Sequence, residues 1–274
     1  VWKALTYVPT RRRCFACAEA CGLIYIVGGY EDPWSESVGV VDVYDVRLNV
    51  WSTLQPLPTP REEAAVVIVD SCLYVLGGDV VDRSGQQYLP RLTATRPVAT
   101  VERLVLATGV WTAEMMMADA RSCAASVVVE GVIYIFGGAS FDNGVLATVE
   151  VFAPMLGTWM TLPPMPLGRF GCAAISVGFD IVVAGGRCHE LTAPVLVFDI
   201  QLEQWAHIGA MMSLSMFGAV DVEGCVYVFG GRNERDVDMN VVLKFDTPTR
   251  VSRVFSRMPI HGACMAFVWP SEYV

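Results

Sequence analysis

Few side chains in this 274-residue chain are placed to do chemistry. His189, His207 and His261 stand far apart, with no His-x-Glu-x-x-His or comparable spacing. A zinc or copper site needs converging ligands, so no metal is expected. Cys14-x-x-Cys17, with Cys21 beyond it, has the spacing of a redox or metal motif. Yet Cys14, Cys123 and Cys264 recur at matching points of a longer pattern, with Cys172 one residue late. Cys21, Cys72 and Cys225 recur likewise. Cysteines repeated in register read as small buried strand residues. The Gly-Gly pairs are not phosphate loops, because no Lys-Ser/Thr follows them. Glu62 and Glu63 read as turn residues, and no nucleophile–base–acid set emerges. No catalytic activity and no cofactor are expected.

The arginines carry more information. Arg12, Arg61, Arg121 and Arg169 each follow a tryptophan by ten residues, a pattern that Ser215 and Gly262 break. Guanidiniums held in register read as structural, tying neighbouring sheets through carbonyls or carboxylates. That reading requires a repeated unit to hold them.

The repeat is explicit. Leu23–Gly29, Leu73–Gly78, Ile133–Gly138, Ile181–Gly186 and Val226–Gly231 share an apolar run ending in Gly-Gly. The first glycines lie 49, 60, 48 and 45 residues apart. Trp2, Trp51, Trp111 and Trp159 each precede the first glycine of the next Gly-Gly pair by 26 residues, and Trp205 does so by 25. Length therefore varies only between Gly-Gly and Trp. Seven residues before these later tryptophans stand Tyr44, Leu104, Phe152 and Phe198. Nine before stand Asp42, Glu102, Glu150 and Leu196.

Each unit reads as four strands: an apolar β-branched run such as Ala64–Val69, the Gly-Gly strand, a strand like Val40–Val46, and the Trp strand. No window holds a helical stripe, and the longest unit carries a loop from Asp79 to Thr100. Four strands per 45–60 residues is the signature of an all-β propeller built of radial blades. Blades crowd at the axis, where a Cβ would clash and φ turns positive; glycine meets both demands.

Composition sets outer limits. Hydrophobic residues make up 54% and charged residues 17%, which excludes a disordered chain. The net charge of -9 argues against nucleic-acid and anionic-membrane binding. No run approaches the ~18 apolar residues of a membrane span. Nine cysteines with no secretory signal in view read as reduced thiols, hence a cytoplasmic location.

The Gly-Gly strands, Val41-Asp42-Val43-Tyr44-Asp45 ahead of Trp51, and Pro60-Arg61 resemble kelch repeats, and the likeness covers the whole chain. It is nearest to the kelch domains attached to BTB and BACK modules in Cullin-3 ubiquitin-ligase adaptors, which are six-bladed. It implies one domain over 1–274, with units at 13–54, 63–114, 122–162, 171–208 and 216–256. Residues 1–6 and 262–269 would then be two strands of a sixth blade in an N-terminally truncated ring; the alternative is a five-bladed ring.

The resemblance also implies a protein or peptide partner on the channel-mouth rim. The surfaces would be the residues just after the arginines (Cys14, Glu63, Cys123, Gly171, Phe217 and Cys264) and the loops after Gly-Gly. Glu63 and Phe217 join Trp34, Arg83, Tyr88, Arg91, Phe141, Arg187, His189, Arg232, Asn233 and Arg235 as expected contacts; Trp, Tyr and Arg are common interface anchors. None of the residues after the arginines is itself arginine, so a mixed-charge or amphipathic ligand is expected rather than a polyanion. Cullin-3 association would run through domains outside this chain. A stand-alone scaffold or cytoskeletal kelch protein, or a small-molecule propeller enzyme, are the competing readings.

Overall fold

The computed structural model describes residues 6–32, 35–81, 95–188 and 193–260. Among them there is no helix. They form five four-stranded antiparallel sheets, each a meander or near-meander, here called blades one to five. Blade one comprises Ala16–Ala20, Leu23–Val27, Val41–Asp45 and Val50–Thr53. Blade three comprises Ala125–Val129, Val132–Phe136, Val149–Ala153 and Thr158–Leu162. The innermost strands pack in series: Ala16–Ala20 on Ala65–Val69, then Ala125–Val129, Phe170–Val177 and Gly218–Val222. This is the expected propeller. The strands proposed for a sixth blade lie outside the described residues.

The core is not central but divided among the seams between blades. Val41, Val43 and Tyr25 of blade one meet Leu73, Val75 and Leu104 of blade two. Tyr74 and Val67 meet Ile133 and Phe152 across the next seam. Tryptophans close the outer edge of the first three seams. Trp111, Trp159 and Trp205 stand beside the aromatic or leucine seven residues earlier, and the Phe152–Trp159 and Phe198–Trp205 centroids are each 4.9 Å apart. Their indole N–H groups donate to Gln55, Met115 and Pro163 carbonyls of the preceding blade at 3.1, 2.8 and 2.9 Å. Each accepting residue lies four positions after the preceding tryptophan, so the repeat spacing becomes an inter-blade bond.

At the inner edge the Gly-Gly pairs let neighbouring backbones touch. Gly28 and Gly77 have φ of +66° and +61°, and a Cβ on either would strike the carbonyl of Arg61 or Arg121. The second glycines donate to those same carbonyls, Gly29 to Arg61 at 2.9 Å and Gly78 to Arg121 at 2.8 Å. The arginine backbone thus joins adjacent blades. Its side chain does not, contrary to the sequence reading. Arg61 Nη1 donates to Gly77 O at 3.0 Å and Nη2 to Glu102 at 2.6 Å, both in its own blade. The reason is spacing: each arginine precedes its own first Gly by 16 residues, which brings the guanidinium over that turn.

The loop expected over Asp79–Thr100 also differs in part. Its ends pair as a two-stranded ribbon, Asp79–Val81 with Thr95–Pro97. A smaller ribbon, Ala139–Ser140 with Gly144–Val145, stands on blade three.

Candidate rim site at the channel mouth

Where the chain enters each blade, one residue adopts the left-handed conformation. These are Cys14, Glu63, Cys123, Gly171 and Met216, with φ between 51° and 62°. They form a hydrogen-bonded series around the mouth. Glu63 N donates to Cys14 O at 2.8 Å, Cys123 N to Glu63 O at 2.9 Å, Gly171 N to Cys123 O at 2.8 Å and Met216 N to Gly171 O at 2.9 Å. This backbone arc joins the five blade entries in series.

A second layer sits on it. The residue before each arc member pairs with the residue two positions after the first Gly: Arg13 with Tyr30, Glu62 with Asp79, Ser122 with Ala139, Phe170 with Arg187, and Ser215 with Arg232. Five geometrically matched positions therefore present Tyr, Asp, Ala, Arg and Arg. The arc repeats while the side chains on it do not.

Phe217 is corrected by this geometry. It is 7% exposed, joins the core between blades four and five, and its ring lies against Gly185. Met216 holds the arc position instead. Trp205 stands 25 residues before Gly230 where the other repeat tryptophans stand 26 before the first glycine of the next pair, so counting ten from Trp205 overshoots the entry to blade five by one residue. Counting 16 residues back from Gly230 gives Leu214, whose carbonyl indeed accepts from Gly186 at 2.8 Å as Arg169 does from Gly138. Leu214, not Ser215, is the arginine counterpart.

The other expected contacts divide. Phe141, 83% exposed, stands at the tip of the blade-three ribbon. Arg187 bonds Asp236 of the blade-five loop, and Arg232 Nε donates to Asp238 at 3.0 Å. Asn233 is a loop cap: its Oδ1 accepts from Arg235 N at 2.9 Å and Val237 N at 3.1 Å. Arg235 is exposed on that loop. Glu63 accepts from Cys123 Sγ of the neighbouring blade entry at 2.8 Å. Trp34, Arg83, Tyr88, Arg91 and His189 lie outside the described residues.

Burial governs the ionisation of this mouth. Desolvation, then the Glu63 charge, pushes the Cys14 thiol up to about 11 and Cys123 well above the usual range. Burial alone leads the rise of Cys172 to about 11. Such thiols stay protonated at neutral pH and are poor nucleophiles. Asp79 is raised to about 7, first by burial and then by Glu63. Among the described residues no group of three His, Cys, Asp or Glu side chains converges as a metal would require. No described helix is long and apolar enough to cross a membrane.

Comparison with known proteins agrees with the geometry. A family model described as the KLHDC2/KLHL20/DRC7 Kelch-repeats domain matches residues 14–215. The chain belongs to the kelch-repeat family. It is 29% identical over 228 residues to Kelch-like protein 25 of Xenopus tropicalis, covering 82% of this chain and 37% of the relative. It is 25% identical to Kelch-like protein terF of Aspergillus terreus, covering 92% and 57%, and 26% identical to alpha-scruin of Limulus polyphemus, covering 86% and 26%. The chain thus spans only part of each of these relatives. The solved structure of YjhT superposes with a TM-score of 0.79 over 94% of this chain and 88% of that one, at 15% identity. That likeness is one of fold.

Proposed function

We propose that this propeller is a protein-interaction domain that captures a protein or peptide segment on the channel-mouth rim. One observation carries the reading: five matched rim positions, Tyr30, Asp79, Ala139, Arg187 and Arg232, differ in chemistry above a regular backbone arc. A rigid scaffold bearing exchangeable side chains is how propellers present recognition surfaces. The kelch-like relatives support an interaction domain of this kind. Its place as the substrate-recognition module of a Cullin-3 adaptor, acting in the cytoplasm, rests on the resemblance to BTB-BACK-kelch proteins. Co-precipitation of Cullin-3 with the full-length protein tests that finer assignment.

The rim is tested with a photo-crosslinking residue at position 141 in one bait and at position 179 in another. Phe179 is exposed on a turn at the opposite end of the blade-four strands. Crosslinked partner peptides are expected from position 141 alone. Phe141→Ala and Arg235→Ala should each weaken capture, by up to about 2 kcal/mol for a true anchor, with little change in Tm. Crosslinking from position 179 with capture indifferent to both rim substitutions would place the binding surface on the other face.

A further inference from the structure

Four of the described blade entries carry a buried arginine, and three of them supply it with a carboxylate. Arg12 meets Asp42 at 3.0 Å, Arg61 meets Glu102 at 2.6 Å, and Arg121 meets Glu150. Arg169 is as deeply buried, at 0% exposure, and bonds the Gly185 and Pro194 carbonyls through Nη1. Among the described residues its Nε and Nη2 find no hydrogen-bond partner. Those two nitrogens form one edge of the guanidinium, with parallel N–H bonds suited to a single shared acceptor.

The blade-three entry shows what has been exchanged. Around Arg121 Nη2 stand the Glu150 carboxylate, Asp119 Oδ2 at 3.4 Å and Thr148 Oγ1 at 3.1 Å. The matching positions of blade four hold Leu196, Leu167 and Pro194. All three polar partners thus give way to apolar side chains. The Cys172 thiol, on which Arg169 acts, does not balance the charge either: burial pushes it up to about 11, and it stays protonated. A guanidinium does not shed its proton in a protein, and an uncompensated charge withdrawn from water is costly. The place of Asp119 borders solvent, for its side chain is 21% exposed in blade three and Leu167 is half-buried in blade four.

We propose that the Nε–Nη2 edge of Arg169 binds one small monovalent anion of halide size, which stands in for the carboxylate of the other entries. Leu196 belongs to the core between blades three and four, so the anion would lie in that seam. The two parallel N–H bonds fix its position. The apolar surroundings set its class: a doubly charged or strongly hydrated ion would lose more hydration than two N–H bonds return. Chloride meets these terms. The site requires no partner protein, so it stands or falls separately from capture on the rim.

The test uses the whole chain and chloride itself, with gluconate holding the ionic strength constant. Raising chloride from about 5 to about 200 mM should raise the urea-measured folding constant about tenfold in wild type. Leu196→Glu supplies a tethered carboxylate and Arg169→Met removes the charge, so each should respond less than about twofold. The two variants act in opposite ways, which keeps the result readable if one of them fails to fold. Crystals soaked in bromide should show an anomalous peak within hydrogen-bond distance of both Nε and Nη2. Equal chloride responses in wild type and variant, or water alone on that edge in the bromide-soaked crystal, would overturn the site.

Discussion

The entries to blades three and four are built on the same plan with one half missing from the second. At blade three, Arg121 is sealed from solvent against Glu150, with Asp119 at 3.4 Å and the Gly137 carbonyl at 2.8 Å. Glu150 in turn accepts the N–H groups of Ala118 at 2.6 Å and Asp119 at 3.2 Å. At blade four, Arg169 is equally sealed, at 0% exposure, but Leu196 stands where Glu150 does and Leu167 where Asp119 does. Among the described residues its guanidinium keeps only the carbonyls of Gly185 at 3.0 Å and Pro194 at 2.8 Å, both through Nη1, and Nε and Nη2 find no hydrogen-bond partner there. Blade five completes the series with Leu214 and Leu243, apolar in both positions. A buried ion pair exchanged for two apolar groups costs little, whereas removal of one partner leaves an uncompensated charge. Blade four is thus the half-exchanged case, between a paired and an apolar design.

The largest test of that difference puts the blade-four leucine at the Glu150 position of blade three. Glu150→Leu should remove the innermost carboxylate from Arg121 and leave the two N–H groups unpaired, lowering urea-measured stability by about 3–5 kcal/mol. A loss below about 1 kcal/mol would mean that Asp119 and the carbonyls balance the Arg121 charge without Glu150. The reverse substitution should be smaller and opposite in sign. Leu196→Glu gives Arg169 the carboxylate that its counterparts have and should raise stability by about 1–2 kcal/mol at neutral pH, less than the first loss because the new carboxylate must itself be desolvated. Unchanged or reduced stability would show that the Leu167–Leu196 packing outweighs the unmatched charge.

These contrasts show which parts of the molecule were legible beforehand. The Trp-to-Gly spacing reveals the blades because one constant offset serves both the indole bond to the preceding blade and the glycine approach at the axis. The arginines are visible as a register, but their side-chain partners are not. Spacing from the tryptophans suggests bonds between blades, while the 16-residue offset to the glycines, which the guanidiniums follow, points within one blade. The Trp205–Gly230 interval is one residue shorter than its counterparts, which hides Leu214 and misplaces Phe217 in a count from the tryptophan but not in a count back from Gly230. The Arg187–Asp236 contact has no such signal, because it joins loops of two blades whose lengths follow no repeat.

That contact gives the smallest expected effect and marks the limit of the comparison. Arg187 and Asp236 pair across the rim with side chains 35% and 62% exposed, in contrast to the sealed Arg121–Glu150 pair. Water already solvates both partners, so the pair gains little Coulomb energy and is screened by salt, whereas loss of either partner leaves nothing stranded. Asp236→Asn should change stability by no more than about 0.5 kcal/mol, and the difference should vanish between 0.05 and 0.5 M sodium chloride. The buried Glu150→Leu loss should persist across the same range of salt. If Asp236→Asn instead costs more than about 1 kcal/mol at high salt, the rim loops are fastening blade four to blade five. The division between a structural arc and an exchangeable rim would then fail at the seam where the arginine pairing has already been lost.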